Sequence, residues 1–219
     1  MKTIRLTLTH EFKQYWLLFA LSLFCAALLL VRAKVTGSTY FFFLIWNLFL
    51  AYTPLGVTSI MMHRINLIEK RFYFYPLLLC WLLLLPNAPY IITDFIHLRK
   101  ESGVPVWFDV LLLISFSACG ILFGLASMRN VYNMIMMKFG GRIADISMGI
   151  ICLLSGFGMY LGRFLRYNSW DVLQRPLNLI SDIFWSLIAI ETYRAAWGIT
   201  LGFGTLMFLL FSLYNDPEK

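Results

Sequence analysis

A chain of 219 residues that is 60% hydrophobic and 13% charged, with a mean hydropathy of +0.76, is excluded from the soluble globular class, in which about a quarter of residues are charged. The net charge of +7 is spread among short connections between apolar runs, so it bears on membrane orientation rather than on nucleic acid. The four cysteines (Cys25, Cys80, Cys119 and Cys152) each lie inside an apolar run and form neither a disulfide framework nor a CxxC metal site.

Apolar runs long enough to cross about 30 Å of hydrocarbon recur along the whole chain. They predict an all-α polytopic membrane helix bundle, one domain over residues 1–219, with about six spans at 15–31, 40–62, 72–92, 106–128, 143–162 and 196–214. The first run is too long for a secretion signal and ends at Arg32 without a small-residue cleavage site, so it is expected to stay attached as a span. Lys and Arg number ten in the segments that are cytoplasmic if the N-terminus is inside. Eight lie in the others, four of them in the long connection after the fifth span. That balance places both termini in the cytoplasm.

The third span is the unusual one. From Phe72 to Leu85 it offers fourteen residues, about 21 Å at 1.5 Å per residue, and then meets P86-N-A-P89. Each proline lacks an N–H and blocks the carbonyl four residues back, so Leu82 and Leu85 lose helical partners. Leu85 and Ala88, as residues before proline, are expected to move toward extended backbone. The freed carbonyls and the Asn87 amide must face protein or a wet cavity rather than lipid. Beyond the break, Tyr90, Thr93, Asp94 and His97 fall on one face of a short helix (offsets 0, 3, 4 and 7). An ionisable face beside a helix break in lipid marks a functional site.

The fourth span opens with V104-P-V-W-F-D109, where Asp109 lies near a helix N-terminus that favours an anion. Residues 129–139, ending at Gly140-Gly141, read as a short interfacial helix on the cytoplasmic side. The fifth span leaves through G162-R-F-L-R-Y-N-S-W-D-V-L173, which sets Arg163 and Arg166 on one helix face and lets Ser169 and Asp171 start the next element. Residues 177–194, with Leu177, Ile180, Phe184, Leu187 and Ile188 at helical spacing, predict a helix lying in the outer interface like a lid. Three G-x-x-x-G pairs (120/124, 158/162 and 198/202) predict close helix packing.

These segments all fall at the outer side of a six-span chain, so Asn87, Tyr90, Asp94, His97, Asp109, Arg163, Arg166 and Asp171 are expected to converge on one pocket, with Trp46 and Asn47 in its wall. L85-P-N-A-P-Y-I-I-T-D-F-I-H-L98, W107-F-D109 and G162-R-F-L-R-Y-N-S-W-D-V-L173 resemble the signature of domain-of-unknown-function family thirteen sixty-one. That resemblance implies a bacterial multi-pass protein of the cytoplasmic membrane whose activity is not revealed.

Three functions fit the residues. The first is an outward-facing site for an anionic lipid headgroup or a lipid-linked phosphate, with Arg163 and Arg166 holding the anion, His97 transferring a proton and Asp94 orienting the imidazole. In it Asn87, Tyr90, Asp109 and Asp171 complete the ligand shell. The second is a small transporter built around the broken helix. The third is an accessory or structural protein in which the polar cluster ties helix ends together, Asp109 with Arg163 for example. No cofactor and no metal are expected; the partners expected are membrane lipid and a lipid-linked or small anionic ligand.

Overall fold

Backbone groups in lipid must be satisfied within the chain, and the computed structural model meets that demand with helices. It describes residues 2–98, 103–167, 171–188 and 194–215. The elements are α1 (Lys2–Thr36), a 3₁₀ turn (Tyr40–Phe42), α2 (Phe43–His63), α3 (Ile65–Glu69), α4 (Arg71–Leu84), α5 (Asn87–Tyr90), a 3₁₀ helix (Ile91–His97), α6 (Val106–Phe139), α7 (Gly141–Arg163), α8 (Asp171–Gln174), α9 (Pro176–Ile188) and α10 (Arg194–Tyr214), with no strand among the described residues. Six helical stretches are long and apolar enough to cross a membrane: 14–36, 40–63, 71–97, 106–139, 141–163 and 194–214.

The fourth span is the central post. α6 carries buried residues from Asp109 to Ile135, and α1, α2, α5 and α7 all pack on it. Its 34 residues make it about 51 Å long, far more than the hydrocarbon thickness. The separate interfacial helix expected at 129–139 is therefore corrected to the end of α6. No proline or glycine lies between Gly124 and Gly140, whose φ of 91° ends the helix, and Val131, Met134 and Ile135 are buried where an interfacial helix would leave them half out.

Small residues decide how the helices meet. Cβ atoms added at Gly156 and Gly204 would come within 2.6 Å of the Thr200 carbonyl oxygen and 3.0 Å of the Leu153 Cα, so α7 and α10 approach backbone to backbone there. Gly120 and Gly124 on α6, and Gly158 and Gly162 on α7, are likewise in contact. At Gly198 and Gly202 a Cβ would meet nothing within 4 Å. The third G-x-x-x-G pair is thus not a packing seam within this chain; Gly204, outside the pattern, takes that role.

Candidate functional site

The broken third span is built by local exchange of hydrogen bonds. Leu85 does not become extended, as expected from the proline that follows it, but stays right-handed helical (φ −55°, ψ −39°), as does Pro86 (φ −59°, ψ −22°). The chain tightens instead. The Leu85 carbonyl, denied the N–H of Pro89, accepts from Ala88 N–H at 3.0 Å; the Asn87 amide donates to the Leu84 carbonyl at 3.0 Å; Tyr90 N–H reaches the Pro86 carbonyl at 3.2 Å. These short-range bonds satisfy the backbone groups freed by the prolines within the chain.

Glycines make room for the break. A Cβ on Gly120 would lie 2.8 Å from the Ala88 carbonyl oxygen, and one on Gly124 would lie 2.9 Å from the Ala88 Cβ; on the other side Gly158 receives the Pro86 ring and Gly162 lies beside Tyr90. The P-N-A-P-Y segment is clamped between two of the glycine pairs visible in the sequence.

Beyond Tyr90 the chain runs as 3₁₀ helix, at three residues per turn. The single α-helical face expected for Tyr90, Thr93, Asp94 and His97 consequently splits into two rows. Tyr90 and Thr93 meet Arg163, whose Nη2 donates to the Thr93 carbonyl at 2.7 Å and Nη1 to the Tyr90 hydroxyl at 3.3 Å. In the next row Asp94, 1% exposed, accepts from Asn47 Nδ2 at 2.7 Å and pairs with Arg163 Nη1 at 3.7 Å. His97 turns elsewhere: its ring packs 5.1 Å from Phe43 and its Nδ1 lies 3.5 Å from the Tyr40 hydroxyl. No hydrogen bond joins His97 to Asp94, whose two oxygens go to Asn47 and Arg163. The expected pair is therefore not hydrogen-bonded in this structure, although the imidazole is close enough to act on the Asp94 charge.

Asp109 belongs to a second cluster. It is fully buried and held bidentately by Arg32, Nε to Oδ1 at 2.7 Å and Nη2 to Oδ2 at 3.3 Å, with the guanidinium 4.4 Å from the centre of the Phe41 ring. A pairing of Asp109 with Arg163 and a single converging pocket are both corrected: two ion pairs form at the same end of the bundle, one binding α1 to α6, the other binding the third span to α7. Arg32 is the residue that sequence reading missed, because a cation just beyond an apolar run looks like an orientation signal. The clue was Asp109 itself, since a carboxylate inside a span requires a partner.

Between α2 and α7, roofed by α9, lies a crevice of about 380 Å³. Its polar lining is Asn47, Asn87, Tyr90 and Tyr167; its apolar wall includes Leu82, Leu83, Leu154 and Phe157. Trp46 also lines it, as expected. Leu179 and Ile183 on α9 close the top, while Leu177, Ile180 and Phe184 on the same helix are exposed. The helix expected as a lid is present, ending at Ile188; residues 189–193 lie outside the described residues, as does the cap expected from Ser169.

Tyr167, not singled out in the sequence, both lines the crevice and donates to Asp182 Oδ2 at 2.7 Å, tying the α7 exit to α9. That hydrogen bond, ahead of partial burial, holds the Tyr167 hydroxyl above the usual tyrosine range. Arg166 turns the chain with a left-handed φ of 59° and is exposed. Asp171 is buried at the start of α8 and is not part of the crevice lining. Among the described residues no group of three His, Cys, Asp or Glu side chains gathers to hold a metal ion.

The profile of one family, described as a protein of unknown function (DUF1361), matches residues 46–210. The chain belongs to the DUF1361 family. The matched range runs from Trp46 in the crevice wall through the broken span, Asp109 and Arg163 to α10. It leaves out Arg32, the partner of Asp109, although the three stretches on which the resemblance rested all lie inside it. No curated protein and no solved structure matches the chain.

Proposed function

We propose that this membrane protein binds an amphiphile with an anionic head, a lipid headgroup or a lipid-linked phosphate, in the crevice between α2 and α7 on the exoplasmic side. The observation that carries the reading is the lining: four neutral hydrogen-bonding side chains above an apolar wall, in a cavity of about 380 Å³, within the range that holds a small ligand. Each of the four is held by a partner in the chain, Asn47 by Asp94, Asn87 by the Leu84 carbonyl, Tyr90 by Arg163 and Tyr167 by Asp182, so they stand fixed with their remaining donors and acceptors toward the crevice. Arg163, compensated by Asp94, orients Tyr90 and carries little free charge of its own. Among the described residues the cations available to an anionic head are Arg166, exposed and adjacent to Tyr167, and Arg175, exposed and close enough to act on the Tyr167 hydroxyl. Because His97 lies apart with Tyr40 and Phe43, the reading is binding rather than proton transfer.

The test is native mass spectrometry of the protein released from its own membranes, comparing wild type with Leu83→Trp, which fills the crevice from a side chain already 38% exposed, and with Arg166→Gln. Retained anionic lipid should fall in both. Equal retention in all three proteins removes the reading.

A second reading, a structural role for the polar clusters, is favoured by one observation: the two carboxylates buried inside the spanning segments, Asp94 and Asp109, already have cationic partners. Under it the Leu83→Trp protein keeps whatever assembly the wild type makes, and only breaking the ion pairs has an effect.

A further inference from the structure

A second site opens where α1 leaves α2, its polar end at Arg129, away from Asp94 and Asp109, and its apolar part reaching up to Ile45. α1 packs on α6, and so does α2, but α1 and α2 make little contact with each other. The wedge between them is an apolar groove of about 440 Å³, whose lining includes Leu18 and Phe19 on α1, Ile45, Phe49 and Leu55 on α2, and Phe123 on α6. Tyr15 lines this groove and also a small polar cleft of about 20 Å³ formed with Gln14, Arg129, Asn130 and Asn133. The Asn130 amide is committed to Thr58 Oγ1 at 3.1 Å. Arg129, by contrast, has no carboxylate partner among the described residues.

We infer that groove and cleft together form a binding site for one anionic phospholipid of the leaflet on the Arg129 side. Three features select this occupant. A partly buried cation at a helix–helix cleft is complementary to a phosphate, and Gln14 and Asn133 add amides able to donate to its remaining oxygens. The groove runs along α2 from Leu55 to Ile45, ten residues or about 15 Å, which is one leaflet's share of a hydrocarbon core about 30 Å thick. Cleft and groove share Tyr15, so head and chain sites are continuous. The site is distinct from the crevice between α2 and α7: it lies on the other edge of α2, with its polar end at the level of Thr58 rather than of Asn47.

The experiment is photo-crosslinking of the full chain in nanodiscs of phosphatidylcholine containing a minor fraction of phosphatidylglycerol with a diazirine on one acyl chain, followed by peptide mapping. Crosslinks are expected in residues 15–22 and 45–55. Arg129→Gln should lower their yield about fivefold, the effect of one basic residue at a membrane surface, while Arg129→Lys retains it and Ile45→Trp, at a half-exposed groove position, abolishes the labelling of α2. Labels confined to 82–90 and 154–162 overturn the inference. So does equal labelling by diazirine-bearing phosphatidylcholine, which leaves an apolar groove without headgroup selection, and so does chain-to-chain crosslinking in the groove, which gives it to a partner helix. Should Arg129→Gln fail to fold, the Lys and Trp variants still decide.

Discussion

Asp109 carries a charge where hydration is absent, and its stability rests on one neighbour. Removing one member of a buried pair leaves the other uncompensated, at a cost of about 3–5 kcal/mol. Arg32→Ala and Asp109→Ala should therefore each lower the thermal unfolding temperature in detergent sharply, and the reversed pair Arg32→Asp with Asp109→Arg should recover part of the loss; full stability of either single variant refutes the pairing. A second residue-scale test uses glycine. An alanine Cβ at Gly158 runs into the Pro86 ring, and overpacking of this kind costs roughly 1–3 kcal/mol, whereas Gly202→Ala meets nothing within 4 Å. The first should destabilise and the second leave the unfolding temperature unchanged, although the sequence shows two glycines in the same pattern. That pair also marks a limit of sequence reading: G-x-x-x-G announces closeness, but which helix approaches it is fixed by tertiary placement.

Elements that break local rules were legible as breaks but not as geometry. P86-N-A-P89 announced the interruption of the third span and its need for internal hydrogen bonds. The conformation chosen, tight rather than extended, depended on Gly120, Gly124 and Gly158 presenting grooves that no local pattern around the prolines contains. Because the following turn is 3₁₀, at three residues per turn, the face counted at α-helical spacing divided into a Tyr90–Thr93 row and an Asp94–His97 row, and within the second row the His97 ring turns to Tyr40 and Phe43 rather than to the carboxylate. The lid helix was readable from its apolar spacing, yet its fastening by Tyr167 was not, since a tyrosine after an arginine carries no pairing signal. That fastening gives a pH prediction. Tyr167 has its hydroxyl held above the usual value of about 10 by Asp182, so the bond's contribution is fully present below that value and is lost as pH rises through the higher folded value. Cleavage within α9 by a protease, followed from pH 8 upward, should accelerate only above the usual tyrosine range in wild type and be fast throughout in Tyr167→Phe. A wild-type rate that tracks the variant at every pH removes the latch.

Across the whole molecule the number and order of the spans followed from apolar length alone, because lipid permits few alternatives. The errors lay in length and in pairing: α6 outruns the membrane because nothing stops it before Gly140, and the polar residues at one end sort into two clusters because Arg32 competes for Asp109. Orientation has a direct test. With the four native cysteines replaced, single cysteines at positions 101 and 168 should react with a membrane-impermeant thiol reagent on intact cells, and one at Asn133 should not. Labelling of 101 and 168 from opposite sides is incompatible with the six-span arrangement.

The bidentate clasp of Arg32 on Asp109 also sets a timetable for biogenesis. The two residues are 77 positions apart, and at about 5–20 residues per second of synthesis the first span waits roughly 4–15 s before its counter-charge is made. Throughout that interval the guanidinium at the end of an apolar helix lacks the carboxylate that holds it in the folded bundle. The fourth span is thus the assembly's commitment point: a chain halted before residue 109 keeps the unpaired charge that membrane quality control can recognise, and one that passes it conceals the mark.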